Sequence, residues 1–68
     1  MRYNFDLNDL VSVCANNNIS DISLFDKLVT PEEFYPLLVS ALKSRNIDVD
    51  AALTEVAREN DVEEIELA

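Results

Sequence analysis

The chain has 68 residues, with no histidine, no glycine and one cysteine, and its 14 acidic against 5 basic side chains give a formal net charge of −9. A length this short supports one small core with a few kcal/mol of net stability, so a partner or oligomerisation is expected to help complete it. The missing histidine, the lone cysteine and the absence of any glycine-rich loop exclude the commonest general base, the usual zinc ligand sets and a phosphate-cradling turn.

Without glycine, asparagine must serve wherever a left-handed residue closes a helix. In "DLNDLVSVCANNN", Asp6 is placed to cap, and Leu7, Leu10, Val11 and Cys14 recur at the i, i+3, i+4, i+7 spacing of a buried helical stripe. The Asn16-Asn17-Asn18 run ends that helix. Asn18-Ile19-Ser20 is formally a glycosylation acceptor, but with no secretion signal it reads as a turn. In "ISDISLFDKL", Ser20 is the expected cap of a short second helix over residues 21–28, with Ile19 and Leu24 as a hydrophobic staple.

"VTPEEF" is the clearest helix start in the chain. Thr30 caps, Pro31 opens with a preset φ, Glu33 is placed to return a hydrogen bond, and Val29 is set to staple onto Phe34. Glu32 and Glu33 therefore read as first-turn acids facing the positive end of a helix rather than as a catalytic pair. Pro36 predicts a bend or restarted turn near Tyr35, since its missing N–H strands the Glu32 carbonyl. Beyond it Leu37, Leu38, Ala41 and Leu42 continue an apolar face to about Arg45.

A fourth helix is expected from an Asp48 cap, with Val49, Ala52, Leu53, Val56 and Ala57 on one face. Asp48, Asp50 and Glu59 fall at the first, third and twelfth places of a calcium loop. Ala52 and Leu53 occupy its fifth and sixth places, where a ligand and the turning glycine belong, so calcium binding is not expected. If the helix continued through "ENDVEEIELA", Glu55, Glu59, Glu63 and Glu66 would form one carboxylate row about 6 Å apart. That geometry leaves Val62 within the acids and Ile65 far from the apolar face. The simpler expectation is a break at Asn60-Asp61, after which Val62, Ile65 and Leu67 fold back by a fresh turn or short extended segment. The organisation expected is all-α, a compact bundle of about four short helices over residues 1–60 with an acidic C-terminal segment over 61–68.

Charge is unevenly spread, with a net of −2 over residues 1–47 and −7 over residues 48–68. Eight acids over about 31 Å of helix would approach the linear charge of one nucleic-acid strand. Direct binding to nucleic acid or to an anionic membrane is disfavoured, and a basic protein surface is the natural partner. No apolar run approaches the roughly 18 residues of a membrane span, "MRYNFDLNDL" lacks a signal-peptide pattern, and the single thiol suits a reducing compartment, so a cytoplasmic setting is expected.

Cys14 lies on the apolar stripe of the first helix and reads as a packing residue. The expected partner-binding residues are Glu55, Glu59, Asp61, Glu63, Glu64 and Glu66, with Tyr3, Phe5 and Tyr35 as the alternative anchors. No cofactor, metal or catalytic residue is implied. The expected role is that of a non-enzymatic inhibitor encoded by a phage or mobile element, occupying the nucleic-acid-binding surface of a larger protein by mimicry; a homodimer is a further expectation.

The order of elements also resembles the small all-helical tail assembly chaperones of long-tailed phages. The resemblance is carried by "YNFDLNDL", by "ISLFDKL", and by "EEFYPLLVSALKSRNIDVDAALTEVA", and extends from Tyr3 to Ala57. It implies a different non-enzymatic role, binding an apolar segment of the tape-measure protein and keeping it soluble. The chain opens where that family's usual N-terminal hairpin would already have ended, and no individual binding residue carries across.

Overall fold

A computed structural model of the chain describes residues 2–26 and 29–65. Among the described residues four helices follow one another: α1 (Leu7–Asn16), α2 (Ile22–Phe25), α3 (Pro31–Ser44) and α4 (Val49–Glu59). The architecture is an all-α bundle in which α1 packs against both α3 and α4 and those two also touch, while α2 is a single turn on the α1–α3 connection. The Cα radius of gyration of 11.2 Å matches the roughly 11 Å of a close-packed chain of this length.

Three of the four helices begin on a side-chain cap. At α1 the Asp9 N–H donates to Asp6 Oδ1 and the Asp6 N–H donates back to Asp9 Oδ2, both at 2.9 Å, a reciprocal box that satisfies two otherwise orphaned donors. At α3 the Glu33 N–H donates to Thr30 Oγ1, and at α4 the Ala51 N–H donates to Asp48 Oδ1. The return bond expected from Glu33 is not made, and Val29 stays 62% exposed instead of stapling onto Phe34. For α2 the cap is Asp21, one residue later than expected, with Ser20 exposed. The Asp21 carboxylate accepts from Ser23 Oγ and bonds no backbone N–H of the turn. α2 ends at Phe25 with Asp26 as its C-cap in a turn, so it is shorter than the expected 21–28; residues 27 and 28 lie outside the described residues.

Helix closure follows one scheme three times. Among the described residues Asn18, Asn46 and Asp61 are the ones at positive φ, with φ of 58°, 58° and 53°. Each stands one place past a helix C-cap, and the residue after it sends its N–H back to a carbonyl five positions earlier: Ile19 to Cys14, Ile47 to Leu42 and Val62 to Ala57, at 2.9 to 3.0 Å. This is the Schellman motif, in which the left-handed residue turns the following hydrophobe onto the helix it has just left. Ile19 is buried, and Ile47 and Val62 are half-buried against the core.

The core is built around Phe34, Leu38 and Leu42 of α3, Leu10, Val13 and Cys14 of α1, and Leu53 and Val56 of α4, with no polar side chain buried among the described residues. Burying each of the larger aliphatic or aromatic side chains contributes about 1.5–3 kcal/mol before chain entropy is counted. Two expected stripes are corrected. In α1 the buried set is Leu10, Val13 and Cys14, with Leu7 and Val11 only half-buried. Serving two neighbours rotates its core face by about 60° toward Val13. In α3 the buried residues step by four, and Leu37 lies off that line and is 40% exposed.

The bend predicted at Pro36 does not interrupt α3, which is helical from Pro31 to Ser44. Pro36 and Glu32 both lie on the exposed side, so the carbonyl that loses its partner faces solvent rather than the core. At the other disputed point, α4 stops at Glu59, and the chain reverses through Asn60 and Asp61.

Replacing Asn46 by glycine is expected to leave stability unchanged or raise it by a few tenths of a kcal/mol, whereas Asn46→Val is expected to cost about 1–2 kcal/mol, because a β-branched residue is strained at positive φ. Urea unfolding midpoints of the two variants test this; equal midpoints would mean that the closure is not a determinant of the fold.

Candidate functional site

The reversal after α4 delivers residues 62–65 to the N-terminal segment. The Asn4 N–H donates to the Glu63 carbonyl and the Ile65 N–H to the Arg2 carbonyl, both at 2.8 Å, forming an isolated antiparallel bridge centred on Tyr3 and Glu64. Two extended segments that have no sheet to join thereby satisfy part of each other's backbone.

Side chains tie this strap to α4. Tyr3 is buried with its hydroxyl 3.2 Å from Thr54 Oγ1, and its ring packs at 5.3 Å from Phe5. Above it, the Arg2 guanidinium lies 5.7 Å from the Tyr3 ring centroid, donates to Glu64 Oε1 at 3.0 Å and stands 3.6 Å from Asp50 Oδ1. The hydrogen bond to Glu64 is the main influence raising the Arg2 pKa above its ordinary value. These ion pairs are exposed, so they orient the strap more than they stabilise it.

Of the acids expected to form the binding surface, Glu55 and Glu59 are exposed on α4, Asp61 is the left-handed closing residue, and Glu63 and Glu64 project from the strap. Glu66 lies outside the described residues. The ruled row of carboxylates that a continuous helix would produce is absent, because the helix axis ends at Glu59. The acids form a patch that wraps the outer face and C-terminal end of α4. Asp48 and Asp50 flank an open groove of about 370 Å³ along that face, together with Thr54, Glu55 and Arg58.

Amide side chains hold two of the surrounding acids in place. Asn16 Nδ2 donates to Glu59 Oε2 at 3.1 Å, and Asn60 Nδ2 donates to Asp9 Oδ1 at 2.8 Å, so α1 and α4 are joined where their polar edges meet. Asp9 was not among the expected site residues, although its three-residue spacing from Asp6 is the spacing of a capping box. Its carboxylate serves both the α1 cap and Asn60.

The alternative anchors are placed differently. Tyr3 and Phe5 keep only 9% and 4% of their surface and belong to the core; Tyr35 is half-buried against it. The exposed large hydrophobes among the described residues are Ile22, Val29, Leu37 and Ile65. Leu37 lines a second open groove, of about 520 Å³, between α2 and α3. Asp48, first in the calcium-like spacing, is the cap of a regular helix, and among the described residues no group of three or more metal-ligating side chains converges. Among these residues no helix is long and apolar enough to cross a membrane.

No family model, curated protein or solved structure matches this chain.

Tyr3→Phe is expected to cost about 1 kcal/mol through the lost hydroxyl contact with Thr54 and to speed amide exchange at Asn4 and Ile65. Unchanged exchange there would show that the strap does not depend on that bond.

Cys14 is 1% exposed, and burial pushes its thiol pKa up, an effect that the nearby Arg45 guanidinium only partly offsets. A raised folded-state pKa makes stability greatest below the unfolded thiol value of about 8.5 and erodes it as pH rises toward the folded value. Urea unfolding across that range is expected to show a loss in the native chain that Cys14→Ala lacks; parallel curves would refute it.

Proposed function

We propose that this chain is a non-enzymatic protein-binding module, of the kind phages and other mobile elements encode, which acts stoichiometrically by occupying a basic, nucleic-acid-binding surface of a larger protein. One observation carries the reading. All seven carboxylates from Asp48 to Glu64 are exposed, and the ion pairs formed among the described residues engage only Asp50 and Glu64, both through Arg2. Among these residues no cation pairs with Glu55, Glu59, Asp61 or Glu63, and Arg58 is the single base of the segment. Such a surface attracts a cationic partner and repels phosphate, and its carboxylates take the place of backbone phosphates on that partner.

A second reading has its own support. Ile22 is 77% exposed, Val29 62% and Leu37 40%. An adaptor that grips an apolar segment of a structural protein, as the tail-chaperone resemblance implies, would use exposed apolar side chains of this kind. The two readings differ in salt dependence, since charge pairing is screened and apolar burial is not.

The test compares capture from bacterial lysate by the native chain and by the combined variant Glu55→Gln, Glu59→Gln, Asp61→Asn and Glu63→Gln, which spares the Arg2 partners and the left-handed closure. Nucleic-acid-binding proteins captured about tenfold or more less efficiently by the variant, displaced by DNA and released by salt, are the expected result. Equal capture by both forms, insensitive to salt, would overturn the acidic reading in favour of the apolar one.

A further inference from the structure

The strap has an unpaired backbone edge. In the bridge between Tyr3 and Glu64 the hydrogen bonds are made by the flanking residues, from Asn4 to Glu63 and from Ile65 to Arg2. A pair flanked in that way turns its own N–H and C=O groups away from the opposite strand. The Glu64 N–H and carbonyl therefore point outward from the strap, and among the described residues neither is bonded to another backbone group. Glu63, Glu64 and Ile65 are all exposed, so this edge is reached from solvent. A single bridged pair is a minimal antiparallel ladder, and two strands are marginal in water until a third joins them.

We propose that this edge docks an extended, lysine- or arginine-rich arm of the partner protein, which pairs with Glu64 as a third strand. The inference rests on the acidic reading above and deepens it by naming the form in which the basic partner is bound. Backbone and charge select that occupant together. An extended arm brings the free N–H and C=O groups that the Glu64 edge requires, whereas a basic helix has already bonded its own backbone internally. Among the described residues no cation pairs with Asp61 or Glu63, and Glu64 shares Arg2 with Asp50, so cationic side chains on the incoming strand meet carboxylates. Runs of lysine and arginine stay extended in a free partner because their charges repel, and such arms commonly bind nucleic acid. The strap of a second copy could satisfy the same backbone groups, but it would set Glu63 and Glu64 against their own kind, a destabilising cross-strand arrangement. Docking at the outward groups leaves both strap hydrogen bonds intact, so Tyr3 keeps its place beneath.

NMR titration at low salt with two capped peptides tests the proposal. One alternates lysine with threonine; the other, equal in length and charge, alternates lysine with proline and so lacks half of the backbone donors. The native chain is expected to bind the threonine peptide about fivefold or more tighter than the proline peptide, with slower hydrogen exchange at the Glu64 amide in the complex. Glu64→Pro removes the outward N–H without touching either strap hydrogen bond, and Glu64→Gln removes the same charge but keeps that N–H. With circular dichroism confirming that both variants are folded, the preference for the threonine peptide is expected to disappear in Glu64→Pro and to persist in Glu64→Gln. Equal binding of the two peptides by the native chain would overturn the pairing and leave the acidic reading standing. A preference that survives in Glu64→Pro would likewise overturn it. Failure of both peptides to bind would overturn the pairing and the acidic reading together.

Discussion

The constraint on which this fold depends is the closing of helices without glycine. A short bundle must reverse direction within a few residues, and α1, α3 and α4 each do so through a residue at positive φ. Asn18, Asn46 and Asp61 supply it, because their short polar side chains tolerate the left-handed region better than other residues with a Cβ. A hydrophobe comes directly after each of them. Ile19, Ile47 and Val62 are redirected onto the helix just completed, so each of these three reversals also adds apolar contact to the core. Loss of the closure at Asp61 would have a different result from loss at the others, since it would allow α4 to extend and would separate residues 62–65 from the N-terminal segment.

That last closure joins the fold to the candidate surface. With the chain reversed at Asp61, Glu63 and Glu64 are presented by a strap whose backbone bonds to residues 2–4, and Tyr3 secures the strap beneath them through Thr54. The strap uses Arg2, the one base among residues 2–26, on Glu64 and Asp50. Arg2 offsets charge at Asp50 and Glu64 and leaves Glu55, Glu59, Asp61 and Glu63 without a cation among the described residues.

Much of this was readable from the residues because it is local. The starts at Asp6, Thr30 and Asp48 are set by side-chain oxygens reaching N–H groups three residues away, and the break at Asn60-Asp61 by the poor fit of Val62 and Ile65 to a continuous helix. The unreadable part is tertiary. The face that α1 buries depends on having two neighbours, and Leu37 is excluded because α3 packs through the line of Phe34, Leu38 and Leu42. Pro36 could be accommodated because its orphaned carbonyl faces water, a matter of orientation that spacing does not disclose. At the candidate site, the exposure of the acids followed from composition, but the pairing of Arg2 with Glu64, sixty-two positions away, did not. Nor did the burial of Tyr3 and Phe5, which depends on the strap.

The distribution of charge and the smallness of the core bear on each other. Every unpaired acid on a chain this size works against compaction through repulsion, and few buried side chains oppose it. A surface evolved only for solubility would intersperse both signs, as residues 1–47 come close to doing, and would avoid a single-sign field. Here the acids are gathered instead on α4 and the strap, where the Asn16 and Asn60 amides and Arg2 orient three of the neighbouring groups, Asp9, Glu59 and Glu64. Gathering like charge costs stability in the free chain and is recovered when an opposite charge covers it. That recovery is what the proposed binding to a basic surface would draw on.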